Sequence, residues 1–253
     1  MRIRFLICFI SLFALPNTHA QTQSGVAVYK VKMNREAVQE LVESDTIDGN
    51  LSNFLKMQFE KRRKEVPFLN YKLYFNREES LFENINAMKN DNGMDLQRAS
   101  REVGSFGDFY INLKNNEVVN YLHYLDRHWL INRNLDQMQW EITNETKTIQ
   151  GYLCQKATID YHPNFGKGGP ITAWFTTAIP FQFGPLGYAG LPGLIIQLEK
   201  DFYTIYIDEI NLQKKNRKIA KPEKGEHYNF EEFIKEKKKR EFEMKMQHVQ
   251  QRE

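Results

Sequence analysis

The chain has 253 residues, and its 35 Lys and Arg against 32 Asp and Glu give a formal net charge of +3. Hydrophobic residues make up 41% of the sequence, which suffices for one domain with a sizeable core. The nearly balanced charge argues against the basic surface that nucleic acids require, so we expect no nucleic-acid partner.

Residues 1–20 predict a signal peptide. Arg2 and Arg4 precede an apolar stretch over residues 5–15 that is too short to span a bilayer, and Ala20 ends a motif typical of signal peptidase sites. We expect cleavage after Ala20 and a periplasmic or secreted protein. Without Arg2 and Arg4 the mature chain carries 33 basic and 32 acidic residues, a net charge of +1. Its apolar runs are too short for a transmembrane segment.

The mature chain begins with a predicted strand and two predicted helices. Residues 25–33 alternate and are rich in Val and Tyr, as strands are. Asn34 is placed to cap a short helix that runs to Glu43, and a second helix starts at Asn50. The basic residues 61–64 are predicted to lie at the C-terminal end of that helix, where positive charge interacts favourably with the helix dipole. The alternative interpretation of these four residues is a binding site for an anionic partner.

From residue 68 onward the pattern changes to short strands separated by turns. Residues 114–116 are typical of a hairpin turn, and residues 86–105 are polar and predict a loop. Strands without intervening helices indicate a mainly β (α+β) fold: a curved antiparallel meander sheet or half-barrel, with N-terminal helices and a charged C-terminal helix. The predicted strands cover residues 69–75, 80–83, 109–113, 118–125, 127–133, 139–143, 147–161, 171–177 and 202–211.

The C-terminal part differs in charge from the rest. Residues 212–253 contain 13 Lys and Arg and 8 Asp and Glu, and residues 229–250 have a helical, strongly charged pattern. We therefore predict three segments: the signal peptide at 1–20, a single β-rich domain at 21–211, and a basic, mostly helical segment at 212–253. Whether the helix docks on the domain stays open.

Two residues are predicted to have structural roles. Cys154 is the only cysteine outside the signal peptide and lies in a strand-like alternation, which favours a buried, inert thiol over a reactive one. Trp174 lies in another predicted strand and is expected to pack. Cys8 lies within the apolar stretch of the signal peptide, too near its start to indicate a lipoprotein.

The stretch GPLGYAGLPGLIIQLE, residues 184–199, concentrates glycine and proline. It ends in a predicted strand, and its spacing matches neither a P-loop nor a nucleophile elbow. Glycine permits unusual backbone conformations and proline removes amide donors, so a rigid corner is the simpler interpretation. The alternative is a contact surface on which Tyr188 and Leu191 face outward. The candidate residues are Gly184, Pro185, Tyr188, Gly190, Leu191, Pro192, Gly193, Leu194 and Ile195.

No catalytic, cofactor or metal site is recognisable. The histidines lack zinc-like spacing, and the acidic residues near the predicted strand ends form no recognisable catalytic pair. We therefore predict no catalytic residues, no metal and no cofactor. A site that carries no recognisable motif stays an alternative.

Residues 190–195, with the sequence GLPGLI, match in full the signature of the GLPGLI family of exported proteins, found mainly in Bacteroidetes. The flanking segments 151–154, 173–175 and 184–185 also resemble that family. The resemblance implies export, but it brings no established catalytic residues or ligand. The order of elements is also similar to periplasmic half-barrels of the lipoprotein-carrier type.

The leading functional hypothesis is a non-catalytic binding or accessory protein of the cell envelope. Its predicted partner is an outer-membrane or other envelope protein, or an apolar ligand. The first alternative is a periplasmic carrier of lipid or another apolar ligand inside a half-barrel. The second is an envelope hydrolase with an unrecognised site.

Overall fold

The computed structural model describes residues 23–43, 49–85, 96–105, 107–124, 126–160 and 170–250. The predicted signal peptide and its cleavage site lie outside these residues. The described strands are β1 Ser24–Met33, β2 Asn70–Asn76, β3 Glu79–Asn84, β4 Asp108–Asn112, β5 Glu117–Tyr124, β6 Arg127–Asn134, β7 Glu141–Ile149, β8 Tyr152–Ile159, β9 Ile171–Thr176, β10 Leu194–Lys200, β11 Tyr203–Gln213 and β12 Glu226–Asn229. The described helices are α1 Arg35–Glu43, α2 Gly49–Glu65, α3 Leu96–Val103 and α4 Phe230–Gln250.

All twelve described strands belong to one sheet, in the order β12-β6-β5-β4-β3-β2-β1-β11-β10-β9-β8-β7. β1 to β6 form one meander and β7 to β11 form a second, and the pairing of β1 with β11 joins them. Neighbours are antiparallel except β12, which runs parallel to β6. The sheet is open, because β7 and β12 lie at opposite ends. The predicted fold class, mainly β (α+β) with an antiparallel meander sheet, N-terminal helices and a C-terminal helix, is confirmed.

One face of the sheet carries the main core and is called the inner face. Alternate side chains on the central strands point into it, because successive residues of a strand face opposite sides. Tyr29 on β1, Leu73 on β2 and Ile205 on β11 are fully buried there. The opposite, outer face carries more polar residues, such as the ion pair between Lys30 and Asp208 at 2.8 Å.

The N-terminal helices cover part of the inner face. Asn34 caps α1 through its side-chain oxygen, which accepts a hydrogen bond of 3.3 Å from the Ala37 amide. Helix α2 is anchored by Arg62, whose buried guanidinium forms ion pairs with Glu65 and with Glu102 on α3. Both predicted N-terminal helices are thus present.

The C-terminal segment docks on the sheet. Residues 214–224 run along the outer face, where the Arg217 guanidinium lies 4.3 Å from the centre of the Tyr74 ring. Helix α4 then packs Phe233 edge-on against Trp129, with the ring centres 5.4 Å apart. The exposed Phe242 shows that the contact does not extend along the whole helix. No described helix has both the length and the apolarity needed to cross a membrane.

The predicted elements differ from the described ones in three places. The loop predicted at 86–105 contains α3, which buries Leu96, Ala99 and Val103 at helical spacing. The segment predicted as one strand at 147–161 is divided by a turn at Gln150–Gly151, where both residues have positive φ. The short strand β12 was not predicted, because four residues are too few to show an alternation.

Candidate functional site

The Gly/Pro-rich stretch belongs to a longer connection, residues 177–193, between β9 and β10. This connection folds back onto its own ends through backbone hydrogen bonds. The Leu194 amide donates to the Ile179 carbonyl at 2.9 Å, and the Ile195 amide donates to the Phe183 carbonyl at 3.0 Å. These bonds fix the connection as a compact unit at the start of β10.

The connection also reaches across the inner face of the sheet. The ring centres of Phe181 and Phe75, on β2, are 4.8 Å apart. Gly187 packs so closely on β4 that a Cβ atom there would lie 2.6 Å from Phe109. The Trp140 indole donates a hydrogen bond of 2.8 Å to the Ala189 carbonyl. Residues 177–193 therefore fill space on the inner face between the two meanders.

The expectation that Tyr188 and Leu191 face outward is wrong. Tyr188 is 0% exposed and packs edge-on against Trp140, and Leu191 is 1% exposed. The connection turns inward because it carries more apolar surface than an exposed loop can bury by itself. Of the nine candidate residues only Gly190 and Pro192 reach the surface. The buried ones are Gly184, Pro185, Tyr188, Leu191, Gly193, Leu194 and Ile195.

Two glycines are required for different reasons. Gly190 has a φ of +91°, a backbone conformation that L-residues with a side chain rarely adopt. Space is not the constraint here, because a Cβ atom at this position would point into open space. Gly193 has no such dihedral angle, but a Cβ there would lie 2.1 Å from the Thr176 carbonyl oxygen. Gly190 thus contributes a positive φ, as Leu186 and Gly187 also do, and Gly193 permits a close approach of the backbone to Thr176.

Cys154 and Trp174 lie in the second meander. Cys154 is buried, and burial raises the pKa of its thiol to about 11, which disfavours the reactive thiolate. The Trp174 ring lies under the Lys147 ammonium group at 3.8 Å, and its indole N–H donates to the Glu199 carboxylate at 3.0 Å. Neither Cys154 nor Trp174 forms an open site together with the Gly/Pro-rich corner.

A surface cleft of about 580 Å³ lies between α1 and α2. Its apolar floor is formed by Met33 at the end of β1, Val38 on α1 and Phe59 on α2. Phe59 is held by an edge-on contact with Phe202, whose ring centre is 5.1 Å away. A cleft of this size with an apolar floor has the dimensions of a small-molecule site.

The rim of the α1–α2 cleft is charged. Glu60 is engaged by Arg63 at 2.9 Å, and this hydrogen bond is the main reason that the pKa of Glu60 is lowered. Arg35 and Lys56 also line the rim, and neither forms an ion pair with a carboxylate in the described part of the chain. Glu43 lines the cleft as well, and the charge of Arg35 also contributes to the lowered pKa of Glu60. The lining thus carries three basic and two acidic side chains, a small excess of positive charge beside an apolar floor.

The α1–α2 cleft was not predicted from the sequence. The alternative interpretation of the basic residues 61–64 was a binding site for an anionic partner. Arg62 is buried in ion pairs, however, and of these four residues only Arg63 lines the cleft. Lys56, Phe59 and Arg63 recur at helical spacing and mark the face of α2 that meets α1. That spacing can be read from the sequence, but the contact of this face with α1 cannot. In the described ranges, no group of three or more His, Cys, Asp or Glu residues is placed to hold a metal ion.

These features define an open, mainly antiparallel β-sheet protein whose inner face is filled by a Gly/Pro-rich connection. Residues 160–197 match the model of a family described as proteins of unknown function, Porph_ging. This family is associated with Porphyromonas and other Bacteroidetes. The matched range contains the whole of the corner. The finer GLPGLI name stays a prediction.

Comparisons with other proteins give distant likenesses. A search of curated protein sequences found no match. Among solved structures, the chain is similar to PNGF-II, at 14% identity and a TM-score of 0.49 over 84% of this chain and 32% of that one. The chain thus spans about a third of the length of PNGF-II. A LolA superfamily protein, NE2245 from Nitrosomonas europaea, gives 7% identity and a TM-score of 0.25 over 79% of this chain and 87% of that one. Likenesses at this level assign no function.

Proposed function

We propose that the protein is a non-catalytic binding protein of the cell envelope, and that it binds an amphipathic ligand with an anionic group in the α1–α2 cleft. The observation that carries the proposal is the juxtaposition of an apolar floor, formed by Met33, Val38 and Phe59, with the positive rim of Arg35 and Lys56. Export rests on the signal peptide predicted at residues 1–20.

The chemistry of the cleft favours such a ligand over a purely apolar or purely ionic one. Burial of an alkyl chain against the floor stabilises the complex by about 0.8 kcal/mol per methylene group. An anionic group at the mouth then lies beside Arg35 and Lys56, which form no ion pair with a described carboxylate, although Glu43 and Glu60 line the same cleft. Burial of the alkyl chain and the charge interaction at the mouth are both needed for affinity. A fatty acid anion offers both and is therefore a suitable probe.

The placement of the Gly/Pro-rich connection favours the cleft over the interior of the sheet as the binding site. Phe183, Leu186 and Tyr188 are fully buried on the inner face, where a half-barrel carrier would hold its ligand. A carrier of apolar ligands thus remains compatible with this protein only if it uses the open cleft. The corner then has a structural role in the core rather than a contact role in the binding site.

The test is binding of laurate, measured by isothermal titration calorimetry, to residues 21–253. We expect Lys56→Glu to weaken laurate binding by about tenfold or more, because it reverses a rim charge. Lys61→Glu is the matched control: the same change on the same helix, at a residue that does not line the cleft. Lauryl alcohol should bind more weakly than laurate. Equal effects of the two substitutions, or the absence of laurate binding, would contradict the proposal.

A further inference from the structure

A second, smaller cleft lies where the first meander is incomplete. β4 begins at Asp108, which pairs with Tyr121, whereas β5 continues to Tyr124 and still pairs with β6. Helix α3 crosses the gap that this offset leaves. The result is a cleft of about 260 Å³, called the notch, lined by Asn84, Arg101, Asp108, Leu122, His123 and Tyr124 among others.

One side of the notch carries negative charge. The Asp108 carboxyl is largely removed from solvent, and this burial, followed by the charge of Glu83, raises its pKa to about 6. The backbone N–H of Asn84 donates a hydrogen bond to it. In the described residues no Lys, Arg or His forms an ion pair with Asp108. A carboxylate in this position attracts a cationic group from a ligand.

Another side carries positive charge. Arg101 projects from the last turn of α3 and forms no ion pair with any described carboxylate. Burial, followed by the hydrogen bond to Glu241, raises the pKa of the Tyr124 hydroxyl. The positive charge of Arg101 acts in the opposite direction and offsets part of this increase. The notch thus presents a guanidinium and a carboxyl group that are not paired with each other.

Several polar side chains in and next to the remaining walls are engaged with one another. The Ser100 hydroxyl lies 2.9 Å from the Tyr71 hydroxyl and accepts a hydrogen bond of 3.0 Å from the Asn84 side chain. The rings of His123 and His128 are 4.6 Å apart, and the Tyr121 hydroxyl lies 2.7 Å from His128 Nδ1. Asp108 and Arg101 are the acidic and the basic side chain among the described residues that line the notch.

We propose that the notch binds a small zwitterion, a free amino acid, with the ligand ammonium at Asp108 and the ligand carboxylate at Arg101. An arginine fork matches the geometry of a carboxylate, and charge-assisted hydrogen bonds at both ends orient the ligand. Leu122 and Tyr124 provide an apolar wall for its side chain. The volume is below that of drug-sized sites, as a ligand of this size requires. This site is independent of the α1–α2 cleft.

The charge requirement is tested with leucine, isoamylamine and isocaproate, which share one alkyl group and differ in their charged groups. Binding of each to residues 21–253 is measured by calorimetry, after a thermal-shift comparison of the twenty standard amino acids. Leucine should bind at least about tenfold more tightly than either single-charge analogue. If no amino acid binds at millimolar concentration, or if an analogue equals leucine, the proposal fails.

Variants locate the site. Arg101→Gln should weaken leucine binding by about tenfold or more, and Asp108→Asn should do the same. Arg98→Gln is the matched control, because Arg98 is an exposed arginine on the same helix that pairs with Glu102 outside the notch. Arg101 is exposed, so its substitution leaves the fold intact. Unchanged leucine affinity in folded Arg101→Gln would overturn the proposal.

Discussion

The substitution Asp108→Asn should stabilise the folded protein at neutral pH and leave its stability unchanged in acid. The folded state raises the pKa of this carboxyl from its ordinary value of 3.8 to about 6, chiefly through burial. An acid with a raised folded-state pKa binds its proton more tightly when folded, so ionisation destabilises the fold. The penalty is absent below about pH 4 and complete above about pH 6. Asparagine removes it and keeps an oxygen that accepts the Asn84 N–H.

The size of the effect follows from the same values. The difference between 3.8 and about 6 corresponds to about 3 kcal/mol at pH 8, as an upper value. In a chain of this length, that amount would raise the melting temperature by about 6–12 °C.

Urea unfolding followed by tryptophan fluorescence, at several pH values from 4 to 8, measures the difference between the variant and the wild type. Asp126→Asn is the control, since Asp126 is an exposed turn residue with a φ of 56° that asparagine also adopts. A stability difference that does not grow between pH 4 and pH 7 would refute the reasoning, as would a wild type more stable than the variant at pH 8.

Two further predictions concern the Gly/Pro-rich corner. Gly193→Ala should destabilise by about 3 kcal/mol, since its Cβ meets backbone, whereas Gly190→Ala should cost only about 1–2 kcal/mol for its dihedral angle. Thermal melts compare the two, and equal melting temperatures would show that the close approach is not demanding. Tyr188→Ala should cost about 3–5 kcal/mol, because it empties a fully buried site. Urea unfolding measures this loss, and a cost below about 1 kcal/mol would mean that Tyr188 is not a core residue.

The sequence predicted the local structure better than the long-range contacts. Alternation identified most strands, and Asn34 marked the start of α1, because both signals lie within a few residues. The pairing of Ser24 with Gln213 leaves no such local signal. The inward turn of Tyr188 was mispredicted for the same reason: Trp140 and Phe109, which surround the corner, are distant in sequence.

The candidate sites were beyond prediction for a related reason. The α1–α2 cleft depends on Phe59 meeting the turn that contains Phe202. The notch depends on an offset of only a few residues between the ends of β4 and β5, and offsets of that size are within the uncertainty of predicted strand ends. Asp108 itself looks like an ordinary acidic residue before a strand. Its raised pKa follows from burial and from Glu83, which lies on another strand.

The position of β1 between β2 and β11 has a consequence for how the chain reaches its native state. β1 is the first described strand, and its neighbour β2 is the next described strand along the chain, after α1 and α2, but its other neighbour ends at Gln213. During synthesis the first meander can assemble early, while β1 keeps one unpaired edge until β11 emerges. Contacts so distant in sequence slow folding, and an open strand edge invites association with other chains. We therefore expect the nascent protein to depend on protection of β1, by a chaperone or by delayed folding, until the second meander arrives.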